Sequence, residues 1–148
     1  MTPTHIMVGT DFSRGAEAAL DAAVMLAERA GARVTLIHVH DPMVLLPAPG
    51  EGEKVSLDHL LHVEEDLRRT LERVRLDRLG SVKDAQVELV IRSSPSHAMA
   101  ERAAELGVDL IVVATHGRTG LAHFFIGSVA ERTVRLAPCP VLVVPVAD

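Results

Sequence analysis

Five short apolar runs recur along the 148 residues, and a segment with helical periodicity separates each run from the next. The runs are Ile6–Val8, Val34–Val39, Val87–Ile91, Asp109–Ala114 and Val141–Val146. Runs that are apolar almost throughout are typical of buried strands in a parallel sheet. Because strands and helices alternate, the connections should be right-handed crossovers. The sequence therefore predicts one α/β domain over residues 1–148, built on a parallel open sheet.

Four helices are predicted from the spacing of apolar residues and from the residues at their ends. They span Arg14–Ala30, about Ser56–Leu79, Pro95 to about Leu106, and Ser128–Leu136. Ser13 and Ser94 precede helices and are typical N-cap residues. Gly31 and Gly107 follow helices and are typical of helix ends. These boundaries fix where each strand should begin and end.

The stretch from Ala114 to Ser128 leaves a buried strand, passes through glycines and enters a helix. Gly117 and Gly120 permit positive φ and let backbone N–H groups approach an anion. Gly127-Ser128 opens a helix whose first N–H groups are unpaired and whose dipole favours negative charge. Arg118 adds a guanidinium that could neutralise phosphate charge. We therefore expect a phosphate site here.

Ligands of open α/β sheets bind beyond the carboxyl ends of the strands, where the strand order reverses. The first and fourth strands should be neighbours at that point, which brings Thr10-Asp11 close to Ala114. Asp11 either accepts a hydrogen bond from a ribose hydroxyl or serves as a turn residue before Ser13. Backbone groups of Val39 could reach a nucleotide base.

Ser128 has two possible roles. Ser128-Val-Ala-Glu131 matches a capping box, in which the serine hydroxyl caps the helix and the glutamate reaches back. A hydroxyl that accepts from the Glu131 N–H can still donate to a phosphate, so capping alone and capping with phosphate binding both stay open at this point.

Composition and charge exclude several classes of function. The aromatic content is 2% and the net charge is −5, which disfavours nucleic acid as a partner. A P-loop is excluded because Lys54 and Lys83, the two lysines, lie away from the glycine segment. The pairs His38/His40 and His59/His62 lack a third ligand at metal-site spacing, so ordinary histidines are favoured over a metal site.

Location is predicted from what the sequence lacks. No apolar run approaches about 18 residues, and the first residues do not resemble a signal peptide. The single cysteine, Cys139, fits a reducing compartment. We expect a cytoplasmic protein without membrane contact.

Four motifs resemble those of the universal stress protein family and together extend over nearly the whole chain. They are Val8-Gly-Thr-Asp-Phe-Ser13, Thr115-His-Gly-Arg-Thr-Gly120, Gly127-Ser-Val-Ala-Glu-Arg132 and Ala137-Pro-Cys-Pro-Val-Leu-Val-Val144. The resemblance implies a five-stranded parallel sheet with helices on both faces, in a Rossmann-like fold related to the adenine nucleotide alpha hydrolases. It also implies a homodimer joined through the final strand, Val141–Val146, which as an apolar edge would be exposed in a monomer.

Nucleotide-binding members of the family carry G-x-x-G, then nine residues, then G-S/T. Gly117, the interval Arg118–Ile126, and Gly127-Ser128 fit this pattern, whereas Ala114 replaces the first glycine. Alanine should be tolerated unless that position needs positive φ or a contact closer than a Cβ allows.

Carried onto this chain, the resemblance implies a site for ATP with Mg²⁺. Ribose and adenine would lie beside Gly9, Thr10, Asp11 and Val39. The phosphates would lie beside Ala114, Thr115, His116, Gly117, Arg118, Thr119, Gly120, Gly127, Ser128, Val129 and Ala130.

The function predicted on this basis is an ATP-binding stress-response switch or scaffold with unidentified protein partners, rather than an enzyme. One alternative is a nucleotide-independent dimeric interaction protein, which Ala114 would favour. The other is a slow ATPase or self-phosphorylating protein with Ser128 or Thr119 as acceptor.

Overall fold

The computed structural model describes residues 2–45, 57–115 and 126–146, and in these ranges strands and helices alternate. The strands are β1 (His5–Gly9), β2 (Arg33–His40), β3 (Ala85–Ile91), β4 (Leu110–Ala114) and β5 (Val141–Val144). The helices are α1 (Arg14–Ala30), α2 (Leu57–Arg78), α3 (Pro95–Leu106) and α4 (Ser128–Leu136), and Pro42–Leu45 form a 3₁₀ turn. The predicted element order is confirmed, although β5 ends two residues earlier than Val146.

The five strands form one parallel sheet in the order β3-β2-β1-β4-β5. The order reverses between β1 and β4, where Ile6 pairs with Leu110 and Val8 pairs with Val112. The carboxyl ends of these two strands therefore lie side by side, as the sequence predicts.

Alternate residues of the strands face two separate cores, because side chains of a strand point to opposite faces of the sheet. Ile6, Val8 and Leu36 pack with α1 and with Leu71 of α2. Met7, Ile37 and Ile111 pack with Met99 of α3 and Ala130 of α4. Helices thus cover both faces of the sheet.

The first helix begins and ends where its boundary residues predict. The Ser13 hydroxyl accepts from Ala16 N–H at 3.3 Å, and Gly31 ends the helix with a φ of +67°. Its buried face is rich in alanine, including Ala19, Ala23 and Ala27, which lets the helix lie close to β1 and β4.

Ser94 occupies the N-cap position of α3, with Pro95 at the first helical position. Its hydroxyl does not cap the helix but pairs with His97 Nδ1 at 2.8 Å.

Across the described ranges, every helix is too short or too polar to span a bilayer.

Candidate functional site

A cavity of about 350 Å³ opens at the carboxyl edge of the sheet, between β1 and β4 and beside the first turns of α1, α3 and α4. Every predicted site residue that the structure describes borders it: Gly9, Thr10, Asp11, Val39, Ala114, Thr115, Gly127, Ser128, Val129 and Ala130. The remaining predicted residues, His116–Gly120, lie outside the described ranges.

Five further residues line the cavity that motif reading did not identify: Ala16, Ile37, Pro95, Met99 and Val113. They give the cavity an apolar wall suited to the face of a planar base. The topology could have indicated Ala16 and Pro95, because the first turn of a helix that follows a strand lies at this edge. It could equally have indicated Ile37 and Val113, which lie near the carboxyl ends of β2 and β4.

The chain between β1 and α1 makes a tight turn over residues 10–13. Thr10 N–H donates to the Ile37 carbonyl at 2.9 Å, which ends the pairing of β1 with β2. Phe12 N–H donates to Thr10 Oγ1, and Ser13 N–H donates to Asp11 Oδ1, both at 3.0 Å. Asp11 therefore fills the turn role and also borders the cavity.

Phe12 adopts a φ of +63° in this turn. A left-handed conformation costs a residue other than glycine about 1–2 kcal/mol, because its Cβ crowds the following carbonyl. The Phe12 ring lies against the His38 ring, with centroids 4.7 Å apart. No periodicity in the sequence predicts this strain, since it depends on the contact between the turn after β1 and His38 of β2.

Val39 presents its backbone toward the site. In β2 the Ile37 carbonyl faces β1, whereas the His40 carbonyl faces β3 and accepts from Arg92 N–H. Because backbone groups alternate sides along a strand, the N–H and C=O of Val39 also point to the β1 side. The pairing of β1 ends opposite Ile37, so these groups lie beyond it.

Gly9 lets α3 approach the end of β1. A methyl group built on Gly9 would lie 2.9 Å from Met99 Sδ, which is closer than packed atoms tolerate. The φ of Gly9 is not positive, so the close approach to Met99 rather than the backbone conformation favours glycine here. A larger residue would require the flexible Met99 side chain, which lines the cavity, to shift.

Ala114, which replaces the first glycine of the nucleotide pattern, is the last residue of β4 and pairs with Val144. Its φ is not positive, because Phe12 is the single non-glycine residue with positive φ within the described ranges. Alanine is therefore unstrained here, and the first condition for its tolerance is met.

Helix α4 begins at the cavity with Gly127 as its N-cap residue. Glu131 N–H donates to the Gly127 carbonyl at 3.0 Å, and the Glu131 carboxylate pairs with Arg135 at 2.7 Å. The capping box at Ser128 is therefore wrong, since Ser128 lies one position inside the helix. The N–H groups of Ser128, Val129 and Ala130 lie in the first turn, where helical N–H groups lack helical partners.

A model of the universal stress protein family matches residues 3–145. The chain belongs to the universal stress protein family. Universal stress protein YxiE of Bacillus subtilis is 30% identical over 146 residues, which cover 94% of this chain and 97% of the relative. Universal stress protein MJ0531 of Methanocaldococcus jannaschii is 35% identical over 142 residues, which cover 94% and 80% respectively.

Solved structures share the fold of this universal stress protein. Protein MJ0577 superposes with a TM-score of 0.85 at 26% identity, covering 100% of this chain and 99% of its own. Three more distant structures hold nucleotides. A universal stress protein in complex with cAMP has a TM-score of 0.71 at 22% identity, covering 97% and 98%. The universal stress protein from Archaeoglobus fulgidus in complex with dAMP has a TM-score of 0.61 at 23% identity, covering 97% of this chain and 98% of its own. A universal stress protein family protein from Arabidopsis thaliana with AMP bound has a TM-score of 0.67 at 16% identity, covering 98% of this chain and 93% of its own.

Thr115 connects the cavity of this universal stress protein to β5. Its N–H donates to the Val144 carbonyl at 2.9 Å, and its hydroxyl accepts from Val146 N–H at 3.2 Å. Its own carbonyl accepts from Gly127 N–H at 2.7 Å. One residue thus joins the end of β4, the end of β5 and the start of α4.

Asp11 is the only ionisable side chain among the described residues that border the cavity. Within the same ranges, no three His, Cys, Asp or Glu side chains are placed to hold a metal ion. The described wall can therefore bind by backbone N–H groups, hydroxyls and apolar contact, with one carboxylate.

Proposed function

We propose that this universal stress protein binds an adenine nucleotide, AMP or ATP with Mg²⁺, in the cavity. The observation that carries the proposal is the convergence of three complementary features around one cavity. These are the backbone N–H and C=O of Val39, which point to the β1 side beyond the end of its pairing, the Asp11 carboxylate and the first turn of α4. The relatives that hold AMP, dAMP or cAMP support the same ligand class.

The base selectivity follows from the Val39 backbone. Adenine carries an N6 donor beside an N1 acceptor, which complements a backbone C=O beside an N–H. Guanine carries an O6 acceptor beside an N1 donor, so it would oppose like groups and leave them unpaired. The apolar wall of Ile37, Met99 and Pro95 covers the face of the base. AMP should therefore bind more tightly than GMP.

The phosphates would lie against the first turn of α4. The N–H groups there and the positive end of the helix dipole stabilise an anion without a lysine. Ser128 fits a role as a hydroxyl donor to phosphate, because the helix is capped by Gly127 instead. Mg²⁺ would be held chiefly by the nucleotide phosphates and water, as is usual for this ion.

We propose that the bound nucleotide acts as a stress-response signal rather than as a rapidly consumed substrate. Asp11, the one carboxylate at the described wall, already accepts from Ser13 N–H, which suits binding better than proton transfer. Slow hydrolysis or phosphorylation of Ser128 is the competing function. Incubation with γ-labelled ATP distinguishes them, since a switch leaves both phosphate release and protein labelling at background.

We also propose a homodimer through the final strand, in the cytoplasm. β5 is an edge strand, and an exposed edge readily pairs with a second chain. Leu142 on β5 is 37% exposed, and Leu136 on α4 is also exposed. A second copy would cover these side chains.

The binding proposal is tested by titration calorimetry with AMP and with MgATP. Val129→Glu places a carboxylate at the cavity, whereas Val134→Glu places the same charge on the same helix at a residue that does not border it. Both positions are exposed, at 43% and 51%, so both variants should fold. We expect Val129→Glu to weaken AMP binding about tenfold or more through charge repulsion.

Val134→Glu should bind AMP as the unmodified chain does. Absence of heat with millimolar AMP and MgATP would reject the proposal, as would equal affinities of the two variants.

A further inference from the structure

We propose that Phe12 and His38 are positioning residues that hold the turn over residues 10–13 so that Asp11 meets the ribose. The inference rests on the proposed function, because it names what sets the ribose contact at that same cavity. Neither residue borders the cavity, so both act through the turn.

The strain at Phe12 is the first observation. Glycine or asparagine would adopt a φ of +63° readily, whereas a bulky aromatic residue there is an outlier. Such a conformation persists only where the surrounding structure over-determines it, and it concentrates at functional sites. The residue that precedes it is Asp11, the carboxylate at the cavity.

The second observation is that His38 holds the turn on both sides of Asp11. Its ring is 5% exposed, and Nδ1 lies 2.7 Å from the Thr10 carbonyl oxygen. A carbonyl can only accept, so Nδ1 carries the proton and donates. The same ring packs against Phe12, with 4.7 Å between the centroids and 40° between the planes. One buried side chain of β2 thus fixes the residues before and after Asp11.

Bonds within the turn complete the arrangement. Phe12 N–H donates to Thr10 Oγ1, and Ser13 N–H donates to Asp11 Oδ1, both at 3.0 Å. The second bond fixes the carboxylate plane relative to the backbone. Because a hydrogen bond weakens steeply with misalignment, a loosened turn should lose the ribose contact before it loses the base and phosphate contacts.

The test measures how well the protein discriminates AMP from its 2′-deoxy and 3′-deoxy analogues. The unmodified chain should bind AMP about tenfold more tightly than the analogue that lacks the hydroxyl bound by Asp11. Asp11→Asn defines the discrimination that remains without the carboxylate. A purely structural residue would weaken all three ligands equally and leave their ratio unchanged.

His38→Leu removes the donor to the Thr10 carbonyl, and we expect the discrimination to fall from about tenfold to about twofold. His38→Asn should keep most of it, because the asparagine amide can donate from near the position of Nδ1. Phe12→Gly removes the ring contact and also gives the turn the backbone freedom of glycine, so it should lose discrimination like His38→Leu. Circular dichroism and thermal melting verify that each variant is folded.

Tenfold discrimination retained in folded His38→Leu or Phe12→Gly would overturn the inference. So would equal losses in His38→Asn and His38→Leu, since they would show that the hydrogen bond to the Thr10 carbonyl does not set the discrimination. If His38→Leu does not fold, Phe12→Gly and His38→Asn decide the question. Failure of the unmodified chain to bind AMP would reject the proposed function itself, which is a distinct result.

Discussion

His5 illustrates how a single residue can set the pH response of the fold. It lies at the start of β1, is 1% exposed, and its Nε2 lies 2.8 Å from Thr35 Oγ1. Burial, together with the nearby charge of Arg33, lowers the pKa of His5 below its ordinary value. Protonation of His5 therefore opposes folding.

The sign of the effect follows from proton uptake. An unfolded histidine has a pKa of about 6.5, so between the lowered folded pKa and 6.5 the unfolded chain binds more protons. The stabilisation from neutral His5 should be complete above pH 6.5 and be lost as the pH falls through the folded pKa. Urea unfolding at a series of pH values measures this slope.

The matched variants for this prediction are His5→Gln and His97→Gln. The first should make the loss of stability between pH 7.5 and 5 smaller than in the unmodified chain. The second replaces an exposed histidine and controls for the loss of one imidazole. Equal slopes in all three proteins would contradict the assignment to His5.

Residues at the site differ in how far the sequence predicts them. Asp11, Ala114 and Gly127 could be placed together, because the carboxyl ends of parallel strands share one edge. The φ of Phe12 and the contact between Gly9 and Met99 could not, because each depends on side chains from separate elements. The capping box failed because Glu131 pairs with Arg135 on its own helix and Gly127 takes the cap position.

At the scale of single elements, two serines with the same predicted role behave differently. Ser13 caps α1 through its hydroxyl, whereas the Ser94 hydroxyl pairs with His97 and leaves α3 without a side-chain cap. Ser13→Ala should therefore lower the free energy of unfolding by about 1 kcal/mol. Ser94→Ala should change it by less than about 0.5 kcal/mol.

Chemical denaturation of the two serine variants measures this difference. Equal losses of unfolding free energy in the two variants would show that the Ser13 cap stabilises the protein no more than the Ser94 hydroxyl does. The boundaries of both helices were nevertheless predictable, since Gly31 and Gly107 end them in left-handed conformations that glycine adopts without strain.

For the whole molecule, the exposed edge of β5 predicts the state of association. Leu142→Lys places a charge on an apolar position of this edge and should convert the proposed dimer to a monomer. Leu76→Lys makes the same change at a more exposed leucine of α2 and should leave the proposed dimer intact. Light scattering coupled to size-exclusion chromatography gives the mass; a monomeric unmodified chain at high concentration would refute the dimer.

Thr115 forms hydrogen bonds to both the cavity wall and the edge strand, so nucleotide binding and dimer formation can affect each other through it. Its carbonyl accepts from the N–H of Gly127, the N-cap residue of α4. Its N–H donates to the carbonyl of Val144, the last residue of β5, and its hydroxyl accepts from the N–H of Val146. If dimer formation orders this junction, each protomer entering a dimer should bind nucleotide more tightly than a free one. Reciprocity then requires nucleotide to tighten the proposed dimer by the same factor, so the concentration of the protein would itself influence nucleotide binding.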